Sequence, residues 1–172
     1  MDQADQPLLA EPQTSRPHMP GYGIPEASTA QGLLPWSWAI ERLTTSCNYW
    51  LSTTRKDGRP HSMPVWGVWL EGRFYFSTGR DSLKARNLAA NAYCVVCPER
   101  GDEAVIMEGV AEEVTDRSRY AAIIDAYNLK YQWNMDGSEG PIYAVRPRVV
   151  FGFDIKEGQF TSSATRWTFE EE

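Results

Sequence analysis

Residues 48–98 read NYWLSTTRKDGRPHSMPVWGVWLEGRFYFSTGRDSLKARNLAANAYCVVCP, and the two hairpin signals and one helix start in this stretch organise the chain around them. Lys56-Asp57-Gly58-Arg59 separates two alternating runs, and Asp-Gly suits a tight primed turn because both central residues there need positive φ. Leu70-Glu71-Gly72-Arg73 turns the chain a second time. The third strand, 73–78, runs into Gly79-Arg80-Asp81-Ser82, where Asp81 or Ser82 can cap a helix beginning near Leu83. The first N–H groups of a helix lack internal partners, and its dipole favours an anion there. Ser77 and Thr78 add hydroxyls, and Arg80, Lys84 and Arg86 add charge. Lys84 and Asn87, three apart, share a helical face. The junction has the donors for a phosphate, although an ordinary capped surface helix with solvated basic residues has the same spacing.

Between the two turns, His61, Met63, Val65, Gly67 and Trp69 alternate with Ser62, Pro64, Trp66 and Val68. Pro64 donates no ladder hydrogen bond, which puts this run at an edge, at a bulge or where a barrel opens. Trp69 reads as core. N-terminal to the strands, Trp36, Ile40, Leu43 and Cys47 form one stripe of an amphipathic helix with Pro35 in its first turn. Residues 1–32 mix proline, glycine and polar residues without a period, which predicts a loose arm ahead of a domain spanning 33–172. Met19, Tyr22 and Ile24 are its possible anchors.

C-terminal to the opening stretch, 93–98 reads as a short strand. Its Cys94 and Cys97 point to opposite faces, which suits small buried hydrophobes better than a metal pair. Residues 104–114 read as one long strand with Gly109 a candidate bulge. Thr115 or Asp116 caps a helix striped by Tyr120, Ile123, Ile124, Tyr127 and Tyr131. The segment from Lys130 to Met135 could wall a pocket or belong to the core. A loop at 136–141 leads to strands at 142–145 and 149–155, and 160–170 closes the chain.

The whole chain has 172 residues, enough for one domain that buries about two-thirds of its extended surface. Lys and Arg number 17 against 23 Asp and Glu, for a net charge of −6, so nonspecific nucleic-acid binding is disfavoured. No apolar run approaches the length of a membrane span, and no secretion signal is visible. Three cysteines without such a signal fit a reducing cytoplasm.

SMPVWGVW followed by FSTGRDSLKARNL resembles the flavin- and deazaflavin-binding split-barrel family that includes pyridoxamine 5'-phosphate oxidase, over roughly 33–169 and most of all its branch that uses coenzyme F420. The resemblance implies a mainly β fold, a six-stranded antiparallel split barrel with peripheral helices, assembled as a homodimer with cofactor sites between the subunits. It implies that the opened strand lies along the cofactor ring, with contacts from Ser62, Met63, Pro64, Val65 and Trp66. It also implies that Arg166 and Trp167, in the terminal strand Thr165-Arg166-Trp167, sit near the cofactor at the dimer interface; packing alone would explain them as well.

The function that follows is hydride transfer from reduced F420 to an unsaturated small-molecule acceptor. The tail would be held by Ser77, Thr78, Arg80, Lys84 and Asn87, and Arg55, Lys56, Arg59 or Arg166 are the cations available for its longer acidic part. FMN in an oxidase or flavin reductase is the alternative cofactor, since it shares a ring and a phosphate. A flavin-, deazaflavin- or haem-sequestering protein on the same barrel is the non-catalytic alternative. No protein nucleophile is visible, and His61 reads as a polar strand residue rather than a base.

Overall fold

A computed structural model describes residues 11–25, 30–138, 140–156 and 159–170. Its centre holds both predicted turns, but the single strand expected between them, from His61 to Trp69, is two strands broken at Trp66 and Gly67. Strands β2 (Tyr49–Thr54) and β3 (Pro60–Val65) pair in continuous register, from Tyr49 opposite Val65 to Thr54 opposite Pro60. Their turn is not the two-residue primed type expected from Asp-Gly. Arg55 N–H donates to the Arg59 carbonyl at 3.0 Å and Gly58 N–H to the Arg55 carbonyl at 2.9 Å, with Gly58 at φ +83°. A three-residue loop with one left-handed glycine results. The primed geometry appears at the second turn, where Glu71 and Gly72 both have positive φ between β4 (Val68–Leu70) and β5 (Arg73–Ser77).

Helix α2 (Leu83–Ala90) follows, then β6 (Tyr93–Pro98) and the long β7 (Glu103–Glu113). The two strands expected at 142–145 and 149–155 are one, β8 (Ile142–Asp154). It pairs with β7 along its length, but the register slips between Glu108 and Gly109, so that Arg148 has no residue opposite it. Pro147 sits beside this bulge, where a missing donor is tolerated. The other edge of β8 is shared: its first residues pair with β5, and its later ones with β9 (Thr165–Thr168). That shared edge is the split of a split barrel. Among the described residues nine strands, counting β1 (Gln13–Ser15), run in the order β1-β9-β8-β7-β6-β2-β3, with β4 and β5 branching from β8, and the sheet does not close into a ring. The fold is the expected mainly β split barrel, with nine strands rather than six.

One extra strand, β1 (Gln13–Ser15), comes from the segment expected to be loose. It adds to the edge of β9, and buried Arg16 beside it donates to the carbonyls of Gln31, Ser162 and Ala164. A guanidinium with several carbonyl acceptors organises what composition alone could not. Residues 1–10 and 26–29 of that predicted arm lie outside the described residues.

Helix α1 (Trp36–Thr45) closes one core, with Ala39 and Leu43 fully buried against Tyr49, Leu51, Phe74, Met107 and Trp167. Cys47, expected on its stripe, lies beyond the helix and is exposed. Helix α3 (Arg117–Tyr131), capped by Asp116, buries Ile123 and Tyr127 against Val68, Tyr75 and Ile142 in a second core. The short α4 (Phe160–Ser163) precedes β9. Among the described residues, no helix is long and apolar enough to cross a membrane.

Candidate functional site

The tip of the β2–β3 hairpin leans over one face of α2, and between them lies a cleft of about 620 Å³. Leu83, Arg86, Asn87 and Ala90 line it from the helix, at the spacing of a single face, while Arg55, Lys56, Asp57 and Arg59 line it from the hairpin. Four cations therefore meet one acid. That acid is already neutralised: Arg59 donates two side-chain bonds to the Asp57 carboxylate, at 2.8 and 3.0 Å, and holds its pKa below the ordinary value. Among the described residues Arg55, Lys56 and Arg86 have no carboxylate partner. The Nε of Arg55 is buried and has no hydrogen-bond partner among the described residues. A buried charged donor without an acceptor is costly, and an anion in the cleft would supply one. Asn87, buried on the cleft floor, donates to Thr53 Oγ1 at 3.0 Å.

Thr53 also lines a second groove, of about 420 Å³, that runs across β2, β6, β7 and β8 from Thr54 and Pro60 to Arg148. Its Thr54 and Pro60 are the chain neighbours of Arg55 and Arg59 in the cleft. Beside the cleft and the groove runs β3, which among the described residues pairs with β2 alone. Because Arg55 and Arg59 are a hydrogen-bonded pair, alternation assigns His61, Met63 and Val65 to the ladder and points the backbone groups of Pro60, Ser62 and Pro64 outward. The open edge therefore presents one N–H, from Ser62, between two prolines, and the carbonyls of all three. Both prolines sit where their missing donor weakens no ladder bond, and they also discourage pairing with a stray strand. Ser62, Met63 and Pro64 are exposed while Val65 is buried.

The helix junction is differently arranged from its sequence reading. Ser82 caps α2 by accepting from Ala85 N–H at 3.2 Å and receives the Thr78 hydroxyl at 3.1 Å. The Ser77 hydroxyl donates to the Pro141 carbonyl at 3.3 Å. Arg80 turns away to Glu113, in a pair at 2.9 Å that raises its pKa. These groups build the turn, whereas Lys84, half-buried, forms no ion pair among the described residues. Trp167 is fully buried and lies 5.4 Å from the Trp36 ring, so it packs the core instead of facing a cofactor. Strand alternation turns it inward and leaves Arg166 on the outer face, far along the sheet order from β3. Within one chain neither joins the cleft.

What the sequence missed is a clamp on the corner between β3 and β4. Three side chains of α3, at i, i+3 and i+4, converge on two backbone residues. Tyr127 donates its hydroxyl to the Trp66 carbonyl at 2.6 Å, and Lys130 donates to the Gly67 carbonyl at 3.0 Å and to the Tyr49 hydroxyl at 2.7 Å. Tyr131 accepts from Gly67 N–H at 2.9 Å, and its one proton faces the carbonyls of Gly67 and Cys47. Burial pushes the Lys130 ammonium down to about 8 and the Tyr131 phenol up to about 12. The helical stripe was legible, but its hydroxyls and ammonium had no visible target. Trp66 stacks on Tyr131 at 4.6 Å and meets Trp133 edge-on at 5.9 Å.

A family model described as pyridoxamine 5'-phosphate oxidase matches residues 39–162. No curated protein matches. Among solved structures, a conserved hypothetical protein of Mycobacterium tuberculosis aligns with 20% identity over 74% of this chain and 89% of its own, at a TM-score of 0.66. A haem-binding protein of Mycobacterium smegmatis aligns with 18% identity over 75% of this chain and 61% of its own, at 0.59. A protein named F420 reductase aligns with 23% identity over 64% of this chain and 93% of its own, at 0.53. At these identities the structures speak for the fold.

Proposed function

The chain belongs to the pyridoxamine 5'-phosphate oxidase family, and from that premise we propose that it is an F420-dependent oxidoreductase acting on an unsaturated organic acceptor. The observation that carries this reading is the cleft in which Arg55, Lys56, Arg59 and Arg86 gather around one neutralised acid. FMN ends at its phosphate, whereas F420 continues into an acidic tail, and a cleft with several unpaired cations suits the longer anion. The buried Arg55 Nε, short of an acceptor, is the donor that fits best. Lys84 and the first amides of α2 lie on the same helix and would share the phosphate.

When bound, reduced F420 supplies the hydride. The chain's part is to bind and orient. The open β3 edge offers the Ser62 N–H and its neighbouring carbonyls to the polar rim of a ring, and Met63 and Trp66 offer apolar surface beside it. Tyr127, Lys130 and Tyr131 hold the end of that strand in place. A second copy of the chain covers the outer face of the sheet, where Trp50, Val95, Cys97, Ile106, Val149 and Phe151 remain in contact with solvent, and so walls the groove; light scattering should give the mass of a homodimer. The three cysteines are free thiols, which suits the cytoplasm.

The deciding experiment is fluorescence titration of the purified protein with F420 and with FMN side by side. Tight F420 and weak FMN binding supports the reading, and the reverse moves the chain to a flavin enzyme. F420 binding without turnover over a panel of acceptors makes it a carrier.

A further inference from the structure

We propose that Lys130, Trp66 and Trp133 form a subsite for a planar conjugated carboxylate at the end of β3, and that this is the acceptor class of the proposed reductase. The second clause rests on the F420 reading; the first stands on the geometry of these side chains.

An ammonium has three N–H bonds, and Lys130 places two, on the Tyr49 hydroxyl at 2.7 Å and the Gly67 carbonyl at 3.0 Å. Both acceptors are neutral. No described carboxylate forms an ion pair with it, and Glu99, which acts on it only at longer range, is engaged by Asn48 at 2.7 Å and by Cys47 N–H at 3.3 Å. Half-buried cations are ordinarily paired; burial pushes this one down, and the more distant Cys47 and Glu99 offset that only in part. A ligand carboxylate would provide both the third acceptor and the charge.

The apolar part of the ligand follows from the rings alongside. Tyr131, whose ring lies 5.4 Å from the Lys130 ammonium, covers Trp66. Trp66 and Trp133 stand at 79° to one another, with 46% and 54% of their surfaces exposed. Two perpendicular, half-exposed indoles form a corner in which a flat conjugated molecule can stack on one ring and abut the other.

The test is isothermal titration of the full-length, cofactor-free protein with trans-cinnamate and with its uncharged isostere trans-cinnamamide. Cinnamate should bind at least about tenfold more tightly, as a charge-assisted bond requires. Lys130→Gln should abolish the difference. Trp133→Ala, at an exposed position, should weaken both probes about fivefold with an unchanged melting temperature. Equal affinity for the two probes, a preference that survives Lys130→Gln, or no cinnamate binding overturns the subsite. F420 titrated into Trp133→Ala, which lies outside the clamp on the strand, keeps the two readings apart: affinity within about twofold of the unaltered protein supports a separate subsite, whereas parallel loss of F420 assigns the patch to the coenzyme and overturns the proposal. A protein that selects cinnamate but does not bind F420 keeps the subsite and loses the coenzyme.

Discussion

Gly67 and Arg55 show how far a single residue constrains this molecule. A Cβ at position 67 would lie 2.1 Å from Phe74 Cζ and 2.8 Å from the Tyr75 carbonyl oxygen. The ring could turn aside, but the backbone could not, and the corner is also fixed by α3. Gly67→Ala should therefore cost about 3 kcal/mol, at the upper end of overpacking, read as a lower urea midpoint with an unchanged slope. Arg55 lacks a backbone role of this kind and can be tested for ligand binding instead. Its side chain lines the cleft, and its Nε is buried without an acceptor among the described residues. Removing a charged donor from an anion site costs about 1.5–3 kcal/mol, so Arg55→Ala should lower F420 affinity by at least tenfold on that scale and FMN affinity by less. Equal losses for both cofactors would show that Arg55 reads the shared phosphate rather than the tail.

The elements carry their own test, because α2 has eight residues and a single side-chain cap. Ser82→Ala removes the acceptor for Ala85 N–H and the partner of the Thr78 hydroxyl. A loss of about 1 kcal/mol is expected, visible as a lower melting midpoint by circular dichroism; no change would mean that the turn is held by Thr78 and Pro141 alone. This cap was legible in the sequence, as were the hairpins, the Gly109 irregularity and the edge character announced by Pro64, because each depends on neighbours within a few residues. The cleft was not. Arg55 and Arg86 come together only once the hairpin tip folds over α2, and nothing local in either segment specifies that approach. The same holds for Trp167, an aromatic in a short terminal strand, whose inward direction is fixed by pairing with β8. The break expected between 145 and 149 erred in the opposite direction: Pro147 lies there, but the bulge at Arg148 absorbs it and β8 continues.

At the scale of the whole molecule, one carboxylate joins segments from both ends of the chain. Glu103, the first residue of β7, accepts from Arg42 of α1, from Arg100 at 3.1 Å and from Lys156, beyond β8, at 3.1 Å. The hydrogen bond from Arg42, which itself lies 3.9 Å over the Trp38 ring, is the main cause of a Glu103 pKa below its ordinary 4.5. A carboxyl with a depressed pKa in the folded state stabilises the fold at every pH above its unfolded value, and that contribution is lost as the pH falls from 4.5 through the folded value. Lys130 acts with the opposite charge at the other end of the scale. Folded, it releases its proton near 8, and unfolded near 10.5, so between those values the unfolded chain binds more protons and stability rises with pH. Above 9 the buried thiols of Cys94 and Cys97 reverse this, joined above 10 by Tyr49, Tyr127 and Tyr131, because all five stay protonated when folded and ionise when unfolded. Melting temperatures from pH 3 to 11 should accordingly fall below 4.5, climb between 8 and 9 and fall again beyond 9. Glu103→Gln should melt lower than the unaltered protein at pH 7, with the gap narrowing as both are taken below 4.5. A gap that stayed constant down to pH 3 would mean that the side chain contributes through shape and neutral hydrogen bonds, and that its charge does not hold α1 and the end of β8 together.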